Sequence, residues 1–293
     1  MSKALYIPLK LSLGTALCLS ASPLLAQVTS DSTVNTQVTQ NGNIAEITGG
    51  ETRGSNLFHS FQDFSVQTGN EAFFNNADSI SNIFSRVTGG NISNIDGAIR
   101  ANGSASLFLI NPAGIIFGEN SSLNIGGSFY GSTASSILFE DGEFSAVDNL
   151  QEPILTVNAP IGLGFRDEPG DIINRASTGN SLEVSPGETI ALLGGNVTFD
   201  GGGIFAPGAN VEIGGLTEAG EISIAEDNTL RFPDSVARGN VLLTNTSNLN
   251  VPGEGGVTIN ARDFEINTNS AIRTGGKLRR IYIALTKSPL FFY

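Results

Sequence analysis

The chain has 293 residues with a formal net charge of −13, one Cys and no Trp. All 28 acidic residues lie between positions 27 and 276, with nine Arg and no Lys beside them. That balance repels nucleic acid and anionic lipid, while a near-average apolar content of 40% excludes a disordered chain and allows one or two folded domains.

Residues 1–26 read as a secretory signal. Lys3 and Lys10 form a positive start, residues 11–25 are apolar with small side chains, and cleavage is expected between Ala26 and Gln27. Cys18 is removed with it, so the mature chain has no cysteine and no disulfide. No later segment is apolar and long enough to span a bilayer.

Residues 27–77 are polar and rich in Thr, Asn and Gln, interrupted by Phe58, Phe61 and Phe64. The three-residue spacing of these rings could mark a helical turn. The breakers at Gly54 and Gly69 favour an irregular cap instead. His59, the only histidine, sits among the rings and reads as a packing residue, since no partner for metal or acid–base work accompanies it.

From residue 78 to 276 short β-prone runs alternate with Gly, Asn, Asp and Ser. Strands are expected at 83–87, 92–95, 107–110, 115–117 and 123–125. After a Gly/Ser stretch and an acidic loop at 140–143 they resume at 190–193, 196–199, 211–213, 241–243, 257–259 and 264–266. No amphipathic helix of ordinary length is found. The best internal echo sets residues 114–127 beside residues 203–215. Sandwiches, barrels and β-solenoids all fit closely spaced strands. Short strands, turns marked by single Gly or Asn, and an echo implying coils of about 20 residues favour the solenoid.

The chain centres on residues 104–127. Asn111-Pro112-Ala113-Gly114 separates two apolar runs and fits a type I turn, with Asn at the first corner, Pro at the second and Gly at the fourth. This turn with Ile115, together with Asn56-Leu57-Phe58-His59-Ser60-Phe61 upstream, resembles the N-terminal secretion domain of filamentous-haemagglutinin-type exoproteins of two-partner secretion systems. Ala113 stands where that family usually has a second Asn, and no clear copy of its Asn-Pro-Asn-Leu signature is present.

The resemblance implies an all-β, right-handed parallel β-helix with an N-terminal cap. It implies an exported, adhesin-like and non-enzymatic protein of a Gram-negative type envelope, secreted or held at the cell surface. Its partner would be an outer-membrane barrel transporter whose periplasmic domains capture the unfolded module. Asn111, Pro112, Gly114 and Ile115 would be read by that transporter. Cell-surface glycans or proteins stay open as eventual targets.

No cofactor or metal site is expected. One His and no mature Cys defeat metal spacing, and Asp200-Gly201-Gly202-Gly203 lacks the order of a calcium β-roll. The alternative is a β-helix polysaccharide lyase or hydrolase, for which Asp167, Glu168 and Asp171 are the acidic candidates; they read more simply as a solvated turn. An outer-membrane barrel would need strands about twice as long. Residues 277–293 carry four positive charges, no acid and no Gly. They read as an atypical tail, from a changed reading frame or a premature end.

Overall fold

Along the strands of the largest sheet, alternate side chains enter two different cores. Leu57, Ile83, Leu107, Phe129, Ile190, Val211 and Val257 point to one, whereas their neighbours Phe58, Phe84, Phe108, Tyr130 and Ala191 point to the other. Burial on both faces explains why these runs read as continuously apolar rather than alternating. The computed structural model describes residues 27–147, 155–177, 182–225, 228–275 and 280–283, the last by backbone pairing alone.

The first core is the inside of a solenoid. One wall consists of Asn56–Asp63, Asn82–Val87, Ser106–Ile110, Phe129–Ser132, Thr189–Leu193, Asn210–Gly214, Gly256–Ala261 and Arg280–Ile283, each parallel to the next. A second wall stacks Ser93–Ile95, Ile115–Phe117, Ile172–Asn174, Val197–Asp200, Val241–Thr244 and Phe264–Ile266. The third runs from Glu71–Phe74 through Ala98–Ala101 to Ser122–Asn124, and later from Gly203–Phe205 through Asn248–Val251 to Ala271–Thr274. This is a parallel β-helix, as the spacing of the runs and the resemblance led us to expect. Among the described residues no helix is assigned.

Equivalent residues of successive coils lie 26 positions apart at Asn56 and Asn82, and 22 apart at Ser106 and Ser128. From Ser128 to Thr189 the interval is 61, because the chain leaves the solenoid between these coils. The excursion forms Ser136–Phe139, Gly142–Ser145 and Gly162–Phe165. With Gly220–Ile224 and Leu230–Arg231 from a later excursion they build an antiparallel sheet. This sheet lies over the outer face of the first wall and encloses the second core. The rings there stack from coil to coil. Phe58 to Phe84 and Phe84 to Phe108 are 5.1 Å between centroids, and Phe108 to Tyr130 is 4.2 Å with the rings nearly parallel.

The N-terminal end is closed by antiparallel pairing. Thr29–Ser30 and Glu51–Arg53 both run against Asn56–Asp63, and the hairpin of Thr36–Asn41 with Ile44–Gly49 lies against Glu71–Phe74. An open end of a parallel sheet would offer unpaired amides and carbonyls to other chains, and these strands occupy them.

Four readings of the sequence are corrected. Phe58 and Phe61 stand on a regular strand, not in an irregular segment, with Phe58 facing out and Phe61 in. The acidic loop at 140–143 is a hairpin whose second strand begins at Gly142. The echo aligned the wrong walls: Ile115–Phe117 belongs above Ile172–Asn174 and Val197–Asp200, whereas Gly203–Phe205 occupies the third wall. The compositional break at 277 does not end the first wall, because Arg280–Ile283 pairs in register with Gly256–Ala261. The signal segment with Ala26, and residues 284–293, lie outside the described residues.

Candidate functional site

The turn after Ser106–Ile110 uses every polar atom of its first residue. The Asn111 backbone N–H donates to Ser132 O at 2.9 Å, continuing the first wall, and its carbonyl accepts from Gly114 N–H at 3.0 Å, closing the turn. Side-chain Oδ1 accepts from Ala113 N–H at 3.0 Å. Nδ2 donates to Asn91 O at 2.9 Å and to Ser93 Oγ at 2.8 Å, tying the turn to the coil before it. Asn111 is fully buried. The contact that fixes the turn from within is the Ala113 N–H, so a residue without a side-chain amide serves at the third corner.

Gly114 has φ +128°, where a side chain is strained, and an added Cβ would stand 3.2 Å from Asp171 O. The loop of residues 166–171 lies across the turn. Gly170 N–H donates to Pro112 O at 2.9 Å, and Ile115 N–H donates to Asp171 O at 3.1 Å. Ile115 is fully buried in the solenoid core, between Ser93 and Ile172 in the second wall. Of the four expected recognition residues, the structure therefore buries Asn111, Gly114 and Ile115 and leaves Pro112 half-buried. Beside Gly114, Ile92 is 45% exposed.

The chain contains a second asparagine of the same design, which sequence reasoning missed. Asn174 ends Ile172–Asn174, is fully buried, accepts from Ala176 N–H at 2.9 Å and donates to Gly203 O at 3.1 Å. The available signal was the shared Ile-Asn step that ends a short apolar run, at Ile110-Asn111 and Ile173-Asn174. Asn210, within the later half of the echo, is the first residue of a strand.

Several ionisable side chains elsewhere are engaged in holding the fold. Asp167 Oδ1 accepts from Ala219 N–H at 2.9 Å, and Asp171 Oδ1 accepts from both the backbone and the side-chain amide of Asn196 at 2.8 Å. Asp200 is held by Asn245 at 2.7 Å and Arg175 at 2.9 Å, which keep its carboxyl below the usual range. His59 is 1% exposed, with Nδ1 3.1 Å from Thr36 Oγ1, and burial pushes its imidazole down to about 4.

A family model of the TPS secretion domain matches residues 26–262. The chain belongs to the TPS secretion-domain family. It is thus an N-terminal exoprotein module of two-partner secretion, a family of secretion modules rather than enzymes. Among solved structures it is similar to the HMW1 secretion domain from Haemophilus influenzae, at 18% identity and a TM-score of 0.50, over 85% of this chain and 64% of that one. A filamentous hemagglutinin secretion domain matches at 14% identity and a TM-score of 0.41, over 86% of this chain and 100% of that one. No curated protein matches the sequence. The TPS domain spans less than two thirds of the HMW1 structure's length. No helix among its described residues is long and apolar enough to cross a membrane.

Proposed function

We propose that residues 107–115 are the address by which an outer-membrane barrel transporter with periplasmic domains selects this exoprotein, and that they are read before the coils close. The observation that carries this reading is the burial of Asn111, Gly114 and Ile115. A partner meeting the folded domain would find only Pro112, Ala113 and neighbouring Ile92 at that place. A partner meeting the extended chain would find all of them, with the Asn111 amide still free.

Folding then follows export. Each coil added to the solenoid buries apolar side chains and closes backbone hydrogen bonds with the coil before it, which opposes return through the transporter. The module is delivered to the medium or held at the cell surface. There the protein acts as an adhesin, with glycans or proteins of other surfaces as its targets. A β-helix lyase is the weaker reading, because Asp167 and Asp171 are engaged in shaping the loop over the turn.

The test is binding of purified transporter periplasmic domains to the module held unfolded in mild denaturant and to the folded module. The reading expects capture of the unfolded form, weakened by Asn111→Ala and Pro112→Ala. Equal capture of the folded form, insensitive to both substitutions, contradicts it.

A further inference from the structure

Arg86 is the largest of the fully buried side chains, 1% exposed, on the outward face of Asn82–Val87. Its partners come from three separate parts of the chain. Nε donates to Ser60 Oγ of the preceding coil at 2.8 Å, and Nη2 donates to Thr33 Oγ1 of the N-terminal segment at 2.9 Å. Nη1 donates to the backbone carbonyl of Ser145, which arrives 59 residues later on the hairpin of Ser136–Phe139 and Gly142–Ser145. The guanidinium lies 4.5 Å from the centroid of the Phe144 ring on that hairpin.

Asp31 supplies the opposite charge without touching Arg86. It accepts from Ser60 Oγ at 2.6 Å, Thr88 Oγ1 at 2.8 Å and Thr33 N–H at 2.9 Å. Ser60 is the hinge of the network, donating to Asp31 while accepting from Arg86.

Burying a guanidinium is costly unless hydrogen bonds and a nearby opposite charge compensate it. Before the hairpin arrives, Arg86 lacks the Ser145 carbonyl and the Phe144 ring, and stays solvated by standing open to water. The N-terminal segment can close over it only by removing that water from a cation with its donors unmet. The hairpin alone faces the same cost if Thr33 and Asp31 are absent. Neither piece gains from docking first.

We infer that Arg86 is a folding lock that couples closure of the N-terminal segment around Asp31 and Thr33 to docking of the hairpin at Phe144 and Ser145. The N-terminal segment therefore stays open over Arg86 until the chain has been delivered as far as Ser145. The lock concerns the order of folding and stands apart from which residues a transporter touches. Replacing the cation by an apolar side chain of similar length removes the coupling without removing the packing.

The experiment is refolding of the full chain with pulsed hydrogen exchange, read by mass spectrometry on peptides covering residues 29–41 and 136–145. In the wild type both regions are expected to gain protection in one phase. In Arg86→Met the N-terminal region is expected to be protected at least tenfold faster than the hairpin. A wild type in which residues 29–41 are protected tenfold ahead of the hairpin overturns the lock, and so does an Arg86→Met protein that still protects both together.

If Arg86→Met does not fold, native-state exchange of the mild variant Phe144→Leu decides. The lock requires exchange of residues 29–36 to rise by the same factor as that of the hairpin. Unchanged exchange at 29–36 overturns it.

Discussion

Thr36 Oγ1 lies 3.1 Å from Nδ1 of His59 and also accepts the backbone N–H of Ser60 at 3.1 Å. A hydroxyl that accepts from Ser60 can still donate to Nδ1 or accept from it, and burial keeps the imidazole neutral in either tautomer. The ring is packed beside Phe61 and Phe74. Gly50 of the N-terminal segment lies against it so closely that an added Cβ would stand 2.8 Å from Cε1.

Stability should therefore fall in mild acid. The folded-state value of His59 is about 4, below the ordinary 6.5, so between these values the unfolded chain binds the extra proton. The contribution is complete above pH 6.5, declines through the window and is lost below about pH 4, with a total of roughly 3 kcal/mol. Denaturant titrations at pH 7.5, 5.5 and 4.5 should show this slope, and His59→Gln should flatten it.

A further loss belongs to Asp31 at lower pH. Burial pushes its carboxyl up, but the hydrogen bonds from Ser60, Thr33 and Thr88 outweigh that and hold it below the usual range. Its share is present above the ordinary carboxylate value and is lost as pH falls through the lower folded value. Asp31→Asn should weaken the protein at pH 7 and bring it closer to wild type below pH 3, as read by thermal unfolding.

Much of the solenoid was legible because its strands announce themselves twice, once by apolar side chains and again by the Gly, Asn or Asp that stops them. The walls at 83–87, 107–110, 190–193 and 257–259 follow from that rule alone. The antiparallel sheet did not, because Gly142–Ser145 and Gly162–Phe165 carry only one and two large apolar side chains between glycines and polar residues, and their strand character comes from packing on the aromatic column. Arg86 was equally silent. A single Arg in a β run reads as a solvated side chain until tertiary structure brings Thr33 and Ser145 to it.

Truncating the aromatic column should loosen the covering sheet. Phe84 is fully buried between Phe58 and Phe108, and faces Phe139 edge-on at 5.2 Å. Phe84→Ala should cost about 3–5 kcal/mol. Hydrogen exchange should place the largest loss of protection in 136–145 and not in the third wall.

Gly170→Ala should disturb the turn from the loop above it. Its Cβ would stand 2.5 Å from the Ala113 carbonyl atoms, both of them backbone. Relief requires the loop to lift from Pro112, breaking the hydrogen bond between Gly170 N–H and Pro112 O. A loss of about 1–3 kcal/mol is expected by denaturant titration.

The central claim is that Asn111 serves recognition as well as folding. Asn174 provides the comparison, being equally buried and closing its turn with the same side-chain bond to the residue two positions on. Each Asn→Ala change should destabilise the fold by about 1–3 kcal/mol. The decisive measurement is secreted yield from cells carrying the transporter, for Asn111→Ala and Asn174→Ala, each normalised to its own folding stability. The account predicts at least a tenfold greater loss of export for Asn111→Ala. Equal export at equal stability would contradict it.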